Sequence, residues 1–313
     1  MSRVDPDLVA LTGATGFVGR HVAAALRARG LRVRALARRA DARLEALGVE
    51  IVRGALDQPE ALRALVAGAG AVVHGAGLVA APSAREFHRA NAEGTARLVE
   101  TAAQRAEGAR FVLISSLAAR EPNLSPYARS KREAERALEA RSDRLHPILV
   151  RPPAVYGPGD RATLPIVAQL ARGWLLAPKA PANRFSLIYV EDLADLVGEL
   201  VTGAAPSALL EPDDGRPGGY GWRELADAAA ARLGKRVRLV ELPRPVMVAA
   251  ALLTELGARP LGRTPRLSRG KVAELFHPDW VAGASVPPGW RPRVQFDEGF
   301  ARTLAWYRAE GWL

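Results

Sequence analysis

Leu8-Val9-Ala10-Leu11-Thr12-Gly13-Ala14-Thr15-Gly16-Phe17-Val18-Gly19 runs from a strand-like apolar stretch into three glycines spaced three apart, and the helical pattern of His21 to Arg29 follows. Each glycine has its own physical reason. Gly13 permits a tight turn at the strand end, Gly16 lets main chain approach a pyrophosphate, and Gly19 lets helix and strand pack closely, while the helix N-terminus presents amide donors to an anion. Strand, turn, helix and a second strand at Arg32 to Ala37 follow in this order within the first 37 residues. A glycine triplet alone also occurs in strand-to-helix turns that bind nothing. In this context it predicts a dinucleotide site, with Gly13, Thr15, Gly16, Phe17, Val18 and Gly19 around the phosphates.

The same alternation continues outward. Val49 to Arg53, Ala71 to Gly75, Phe111 to Ser115 and Pro147 to Arg151 read as further short strands, apolar on both faces. Pro59 to Ala67, Glu93 to Ala106 and Pro126 to Ala140 read as helices between them. Such spacing specifies right-handed crossovers and a parallel sheet covered by helices on both faces. The expected fold is α/β, a Rossmann-type doubly wound parallel sheet with a smaller, mostly helical C-terminal substrate-binding portion. Residues 1–151 form the dinucleotide-binding domain on this reading, with a further contribution from about 184–201, and residues 152–313 form the substrate-binding region. In that region Ala162 to Arg172, Glu191 to Val201, Trp222 to Leu233, Val246 to Leu256 and Asp297 to Arg308 read as helices, and the strands are short and isolated.

Composition narrows the function classes. The chain has 313 residues and no cysteine, which excludes disulfides, thiolate nucleophiles and cysteine-held metals. The five histidines are dispersed, so no metal site is expected. The formal charge of +11 invites a nucleic-acid reading, but only Lys131, Lys179, Lys235 and Lys271 are lysine, and the 40 arginines (44 minus four) are scattered without interleaved aromatics. That is a solvated face with an arginine bias, and no nucleic-acid partner is expected. The longest apolar run, Val246 to Leu253, is far short of the roughly 20 residues a membrane span needs. Met1 to Asp7 carries acids and shows no export signal. The expectation is a cytoplasmic protein with a small-molecule substrate, no membrane partner, and a homodimer as a permitted assembly.

Further signals lie in order along the chain: Val72-Val73-His74-Gly75-Ala76-Gly77, Asn91-Ala92-Glu93-Gly94-Thr95, Ser115-Ser116, Tyr127 with Lys131, Arg151 to Asp160, and Tyr189 to Ala194. With the Thr-Gly-x-x-Gly-x-x-Gly turn, they make most of the chain resemble the extended branch of the short-chain dehydrogenase/reductase superfamily, the NAD(P)-dependent epimerase/dehydratase type. The resemblance implies a nicotinamide cofactor touched by Leu56, Gly75, Ala76, Gly77, Lys131, Pro152 and Val155 as well as by the glycine turn. Two positions depart from the pattern. Where the family usually has aspartate to meet the adenine amino group this chain has Ala55, with Asp57 as the one substitute nearby. Where an NAD-reading acid would end the second strand it has Ala37, followed by Arg38 and Arg39. Arginine binds a 2′-phosphate in bidentate fashion and a carboxylate repels it, so NADP(H) is the expected cofactor, with Arg38 as its reader and NAD(H) as the alternative. Two more solvated arginines would be the plainer explanation.

Ser125-Pro126 is a helix start, and Tyr127 and Lys131 then fall on one helical face, where a phenol and an ammonium can converge. The cation is expected to lower the phenol's pKa, so that the tyrosine exchanges a proton with a substrate oxygen as hydride moves. Of the two serines at the end of the fifth strand, the resemblance favours Ser116 as the hydroxyl that stabilises charge on the substrate oxygen, with Ser115 cofactor-side or structural. Only eleven positions (127 minus 116) separate Ser116 from Tyr127, a short loop for this branch. Asn91 reads either as a support residue near the site or as a solvent-facing helix asparagine, and His74 as a satisfied core histidine. On the substrate side Tyr156, Arg161, Arg184 and Tyr189 are the candidates, the arginines as grips for a diphosphate or carboxylate. The resulting expectation is an NADP(H)-preferring oxidoreductase acting at a secondary alcohol or carbonyl carbon. The alternatives are a nucleotide-sugar epimerase or dehydratase that retains its cofactor, and a non-catalytic cofactor-sensing or assembly protein.

Overall fold

The computed structural model describes residues 4–203, 208–258, 262–283 and 285–313, so Met1 to Arg3 of the N-terminal reading lie outside the described residues. The first half alternates strand and helix: β1 (Asp5–Thr12), α1 (Phe17–Ala28), β2 (Arg32–Ala37), α2 (Ala42–Ala46), β3 (Glu50–Arg53), α3 (Pro59–Val66), β4 (Ala69–His74), α4 (Ala84–Phe87), α5 (Gly94–Arg105), β5 (Arg110–Ile114), α6 (Pro126–Glu139) and β6 (His146–Val150). A π-helical turn, His88–Glu93, joins α4 to α5, and a 3₁₀ turn, Leu117–Arg120, follows β5. The second half contains β7 (Ala154–Tyr156), α7 (Leu164–Arg172), β8 (Trp174–Pro178), β9 (Arg184–Phe185), β10 (Leu187–Tyr189), α8 (Val190–Thr202), β11 (Ala208–Leu210), α9 (Trp222–Leu233), β12 (Arg238–Leu242), α10 (Arg244–Ala258), α11 (Arg269–Leu275), β13 (Asp279–Trp280) and α12 (Phe296–Ala309).

Seven parallel strands form the central sheet in the order β11-β6-β5-β4-β1-β2-β3. Side chains alternate across it with period two. In β1, Val9 and Leu11 enter one core with Val22 and Leu26 of α1 and Leu193, Leu196 and Val197 of α8. Leu8 and Ala10 enter the other with Leu62 and Leu65 of α3, Leu98 of α5 and Leu138 of α6. Both faces are covered, which is why these strands read as unbroken apolar runs. Truncating one such fully buried leucine to alanine costs about 2–5 kcal/mol.

The sheet differs from the sequence reading at its edges. β1 begins at Asp5, ahead of the expected Leu8, because the Asp5 amide bonds the Gly68 carbonyl at 2.8 Å and a bulge between Asp5 and Val9 absorbs the irregular register against β4. β11, only three residues long, adds to β6 from well beyond residue 152. α8 lies against α1, and Arg29 donates to both the carbonyl and the carboxylate of Asp195, at 3.1 and 2.6 Å. The remaining strands pair in parallel twos, β7 with β10, β8 with β12 and β9 with β13, around a separate core of Tyr156, Leu170, Tyr189, Leu225, Phe296 and Phe300. Among the described residues no helix is long and apolar enough to cross a membrane.

Candidate active site

The glycine turn is held by main-chain packing. Gly13 has φ +77°, and a Cβ there would lie 2.6 Å from the Ala76 nitrogen. A Cβ on Gly19 would lie 2.0 Å from the Gly13 carbonyl oxygen, so no other residue fits against this turn. Gly16 is the N-cap of α1 and offers no capping side chain, and the first turn contains no acid. Thr15 and Gly16 are exposed, while Phe17 and Val18 are half-buried. The first-turn amides therefore face outward without an internal acceptor, and an anionic phosphate group suits that donor set. His21 Nε2 lies 3.1 Å from the Pro158 carbonyl oxygen, so the loop after β7 returns beside the glycine turn. At the end of β2, Arg38 and Arg39 are exposed, and Asp41 caps α2 while pairing with Arg20 at 3.0 Å. Leu56 is half-buried against Gly94, and the Pro152 carbonyl accepts the Leu117 amide at 3.0 Å, with Val155 packed on the core below.

The loop after β4, the π-helical turn and α6 meet at one place. A Cβ on Gly77 would lie 3.1 Å from Asn91 Oδ1 and 4.0 Å from Lys131 Nζ, while Gly75 and Ala76 form the wall against Gly13. Asn91 is 2 % exposed, which excludes the solvent-facing alternative. Its Oδ1 accepts the Leu78 amide at 2.7 Å, and its Nδ2 donates to the Leu78 carbonyl and to Ser130 Oγ, both at 2.9 Å. Ser130 in turn donates to the Tyr127 carbonyl at 2.7 Å. One amide thus fixes the loop to the helix that carries Tyr127 and Lys131, and the extra residue of a π turn is a frequent device for aiming such a side chain. His74 is fully satisfied beneath. Thr95 donates to the Asn91 carbonyl, so it accepts from His74 Nε2 at 2.8 Å, which leaves Nδ1 to accept from Thr12 at 2.5 Å. Burial, with the Lys131 charge, holds this imidazole neutral, its pKa drawn down to about 3.

Lys131 is 8 % exposed and donates to the Ile114 carbonyl at 2.8 Å. Burial draws its pKa down to about 8, and Glu135 one helical turn away opposes the fall. Tyr127 is half-buried, with its ring 5.9 Å from that of Phe87. Its pKa departs from the sequence expectation: burial pushes it up to about 12, a hydrogen bond with Ser116 pulls the other way, and the Glu274 carboxylate adds to the rise. Desolvation of the anion dominates, and the Lys131 ammonium directs a proton at the Ile114 carbonyl. The two serines point to different places. Ser116 is half-buried on the Tyr127 side and caps the 3₁₀ turn through the Ala118 amide at 3.2 Å. Ser115 is buried and donates to Glu135 at 2.5 Å, and Glu135 also binds Arg151 through both oxygens, at 2.8 and 2.7 Å, and Arg132 at 2.9 Å.

The four substrate-side candidates each have partners within the protein. Tyr156 and Tyr189 are 3 % and 1 % exposed and pack edge-on within the second core, because their rings fill the space between β7, β10 and α12. Arg184 is spent: it binds Glu224 at 2.5 Å and the Gly218 and Gly219 carbonyls at 2.9 Å each. Arg161 lies over the Trp312 ring, 4.5 Å from its centre. Sequence reasoning missed Ser130, Phe87 and Glu274. Glu274 accepts from Ser125, the N-cap of α6, at 2.5 Å across 149 residues, and no local signal could have found it. Among the described residues no group of three or more metal-ligating side chains is gathered.

A model of the NAD dependent epimerase/dehydratase family matches residues 9–203. The chain is 42% identical to the ceramide reductase of Caulobacter vibrioides (strain NA1000 / CB15N) over 98% of its own length and 96% of that protein's. It is 30% identical to the 2-alkyl-3-oxoalkanoate reductase of Stenotrophomonas maltophilia (strain K279a), with coverage of 95% and 98%. Among solved structures it resembles MoeE5 in complex with UDP-glucose and NAD, with a TM-score of 0.71, 24% identity and coverage of 97% and 99%, a likeness of fold.

Proposed function

We propose, from the premise that the chain belongs to the NAD dependent epimerase/dehydratase family, that this oxidoreductase is an NADP(H)-preferring reductase of long-chain, lipid-like ketones. The reading divides the chain as the sequence does, with residues 1–151 and the 184–201 stretch holding the dinucleotide and residues 152–313 framing the substrate. The nicotinamide, when bound, supplies hydride to the carbonyl carbon. Tyr127 supplies the proton to the carbonyl oxygen, a role suited to a phenol that stays protonated up to about pH 12. Ser116 donates to the same oxygen and holds Tyr127 in line. Lys131 stabilises the phenolate left behind and reaches the nicotinamide ribose, while Asn91 fixes the relative placement of loop and helix.

The observation that carries this reading is the Tyr127–Ser116 pair, with Lys131 one helical turn along α6 and near Gly77, at the carboxyl edge of a sheet whose first turn suits a pyrophosphate. Net reduction of an apolar substrate is favoured over sugar-nucleotide chemistry because Arg161 and Arg184 are engaged elsewhere. The rim of the cleft is instead apolar, with Leu78 and Val79 exposed beside Asn91 and Phe87 against Tyr127. Two relatives are named as reductases of a ceramide and of an alkyl-oxoalkanoate, in keeping with such a substrate. The preference for NADP(H) rests on Arg38 standing exposed where an acid would read NAD. Titration with NADPH and NADH, together with consumption of NADPH on a 3-oxoacyl substrate and on a UDP-sugar, tests the reading. Tighter NADPH binding that weakens about tenfold or more in Arg38→Ala is expected, with turnover on the oxoacyl compound alone. Tighter NADH binding, or turnover of the UDP-sugar without loss of NADPH, would overturn it.

A further inference from the structure

α10 carries two apolar stripes, and only one has a partner. Met247, Ala251, Thr254 and Ala258 follow one another at helical intervals, and on that side Met247 and Ala251 pack with Val272 of α11. Val246, Ala249, Ala250, Leu253, Leu256 and Gly257 form the opposite stripe, and all are exposed, Leu253 at 72 % and Leu256 at 63 %. No charge interrupts this face. Glu255, the helix's one acid, is engaged by Arg269 at 2.9 Å. Exposed apolar surface of this length, about 22 Å for a 15-residue helix, marks an interaction site rather than scattered single residues.

Charge identifies the occupant. Arg244 opens the helix on the Met247 side, the Arg263 amide bonds the Ala258 carbonyl at its end, and Arg266 follows. Among the described residues none of these three has an acid within ion-pair distance, and the chain as a whole carries +11. A second copy related by a two-fold axis would add a second cationic chain to this surface, whereas anionic lipid headgroups would neutralise the arginines at the helix's C-terminal end. We propose that the exposed face of α10 lies on an anionic membrane surface, its leucines entering the headgroup boundary without crossing the bilayer. The position suits delivery to the cleft: α11, under α10, is tied to the start of α6 by Glu274 and Ser125, two residues from Tyr127. The inference goes beyond the reductase reading and does not need it, since adsorption is measured without turnover.

Co-sedimentation of the full chain with vesicles tests it. Binding to phosphatidylcholine–phosphatidylglycerol vesicles is expected, weakening with salt, with little binding to phosphatidylcholine alone. Leu253→Asp/Leu256→Asp should lower the partition coefficient about tenfold or more at an unchanged thermal midpoint, both side chains being exposed. Leu253→Gln/Leu256→Gln carries the same expectation should the aspartates disturb the helix. The proposal is overturned by absence of binding to the anionic vesicles, by binding that neither double variant weakens, or by a wild-type dimer that these substitutions convert to monomer.

Discussion

The glycine turn and the substrate flank of the cleft are built on opposite plans. Around Gly13, Gly16 and Gly19 the contacts are main chain on main chain, and the residue type at each position follows from the space available. Across the cleft, the charged and aromatic residues that could grip a substrate are consumed by one another: Arg184 by Glu224, Arg161 by Trp312, Tyr156 by Tyr189 and Phe296. A role imposed by backbone geometry is local and can be read from sequence. A role that depends on which distant partner a side chain meets cannot.

Substitutions on the two sides should therefore fail differently. The largest effect is expected at Gly19→Val, whose Cβ would collide with the Gly13 carbonyl. NADPH affinity should fall by about 10³-fold or more and the thermal midpoint should drop, as a several-kcal/mol strain implies. Retention of wild-type affinity by isothermal titration would break the main-chain account of the turn.

Next comes Lys131→Met, with kcat reduced about 10²- to 10³-fold. In the wild type the reductive rate should be level below about pH 8 and fall above it, as Lys131 loses its proton while Tyr127 keeps its own to about pH 12. The variant should lack that fall. Because the folded-state pKa of Lys131 lies below its ordinary value, the unfolded chain binds the extra proton between about pH 8 and 10.5, and this group's contribution to stability rises with pH across that window. At pH 7 the methionine variant should thus be no less stable than wild type by more than about 1 kcal/mol, as read by denaturant unfolding. A pH profile identical in both proteins would remove Lys131 from the chemistry.

The smallest effect is expected at Tyr156→Phe. Its hydroxyl is buried without a hydrogen-bond partner, and burial and the Asp214 charge push its pKa up, so deleting it should leave KM unchanged and stabilise by up to about 1 kcal/mol. A rise in KM would return Tyr156 to the substrate site.

The six sheet strands before residue 152 were legible because each holds a short apolar run between helical patterns, and the helix starts because Ser125-Pro126 and the glycine turn announce them. β11 was not, since three residues carry no periodicity, and its place beside β6 is set by α8 returning the chain across the sheet. In the site, Tyr127 and Lys131 were legible from helical spacing, but their pKa directions were not. The sequence gives the neighbours four residues away and is silent on desolvation. Asn91 carries no deciding local signal, because its partners Leu78 and Ser130 lie 13 and 39 residues away in the sequence.

The central claim is that the Tyr127 phenol, beside Ser116 and one helical turn from Lys131, delivers the proton. Single-turnover oxidation of prebound NADPH by a 3-oxoacyl substrate, compared between wild type and Tyr127→Phe, tests it most directly. The account predicts equal NADPH affinity and a rate about 10³-fold lower in the variant. A Tyr127→Phe rate within about threefold of wild type would contradict it.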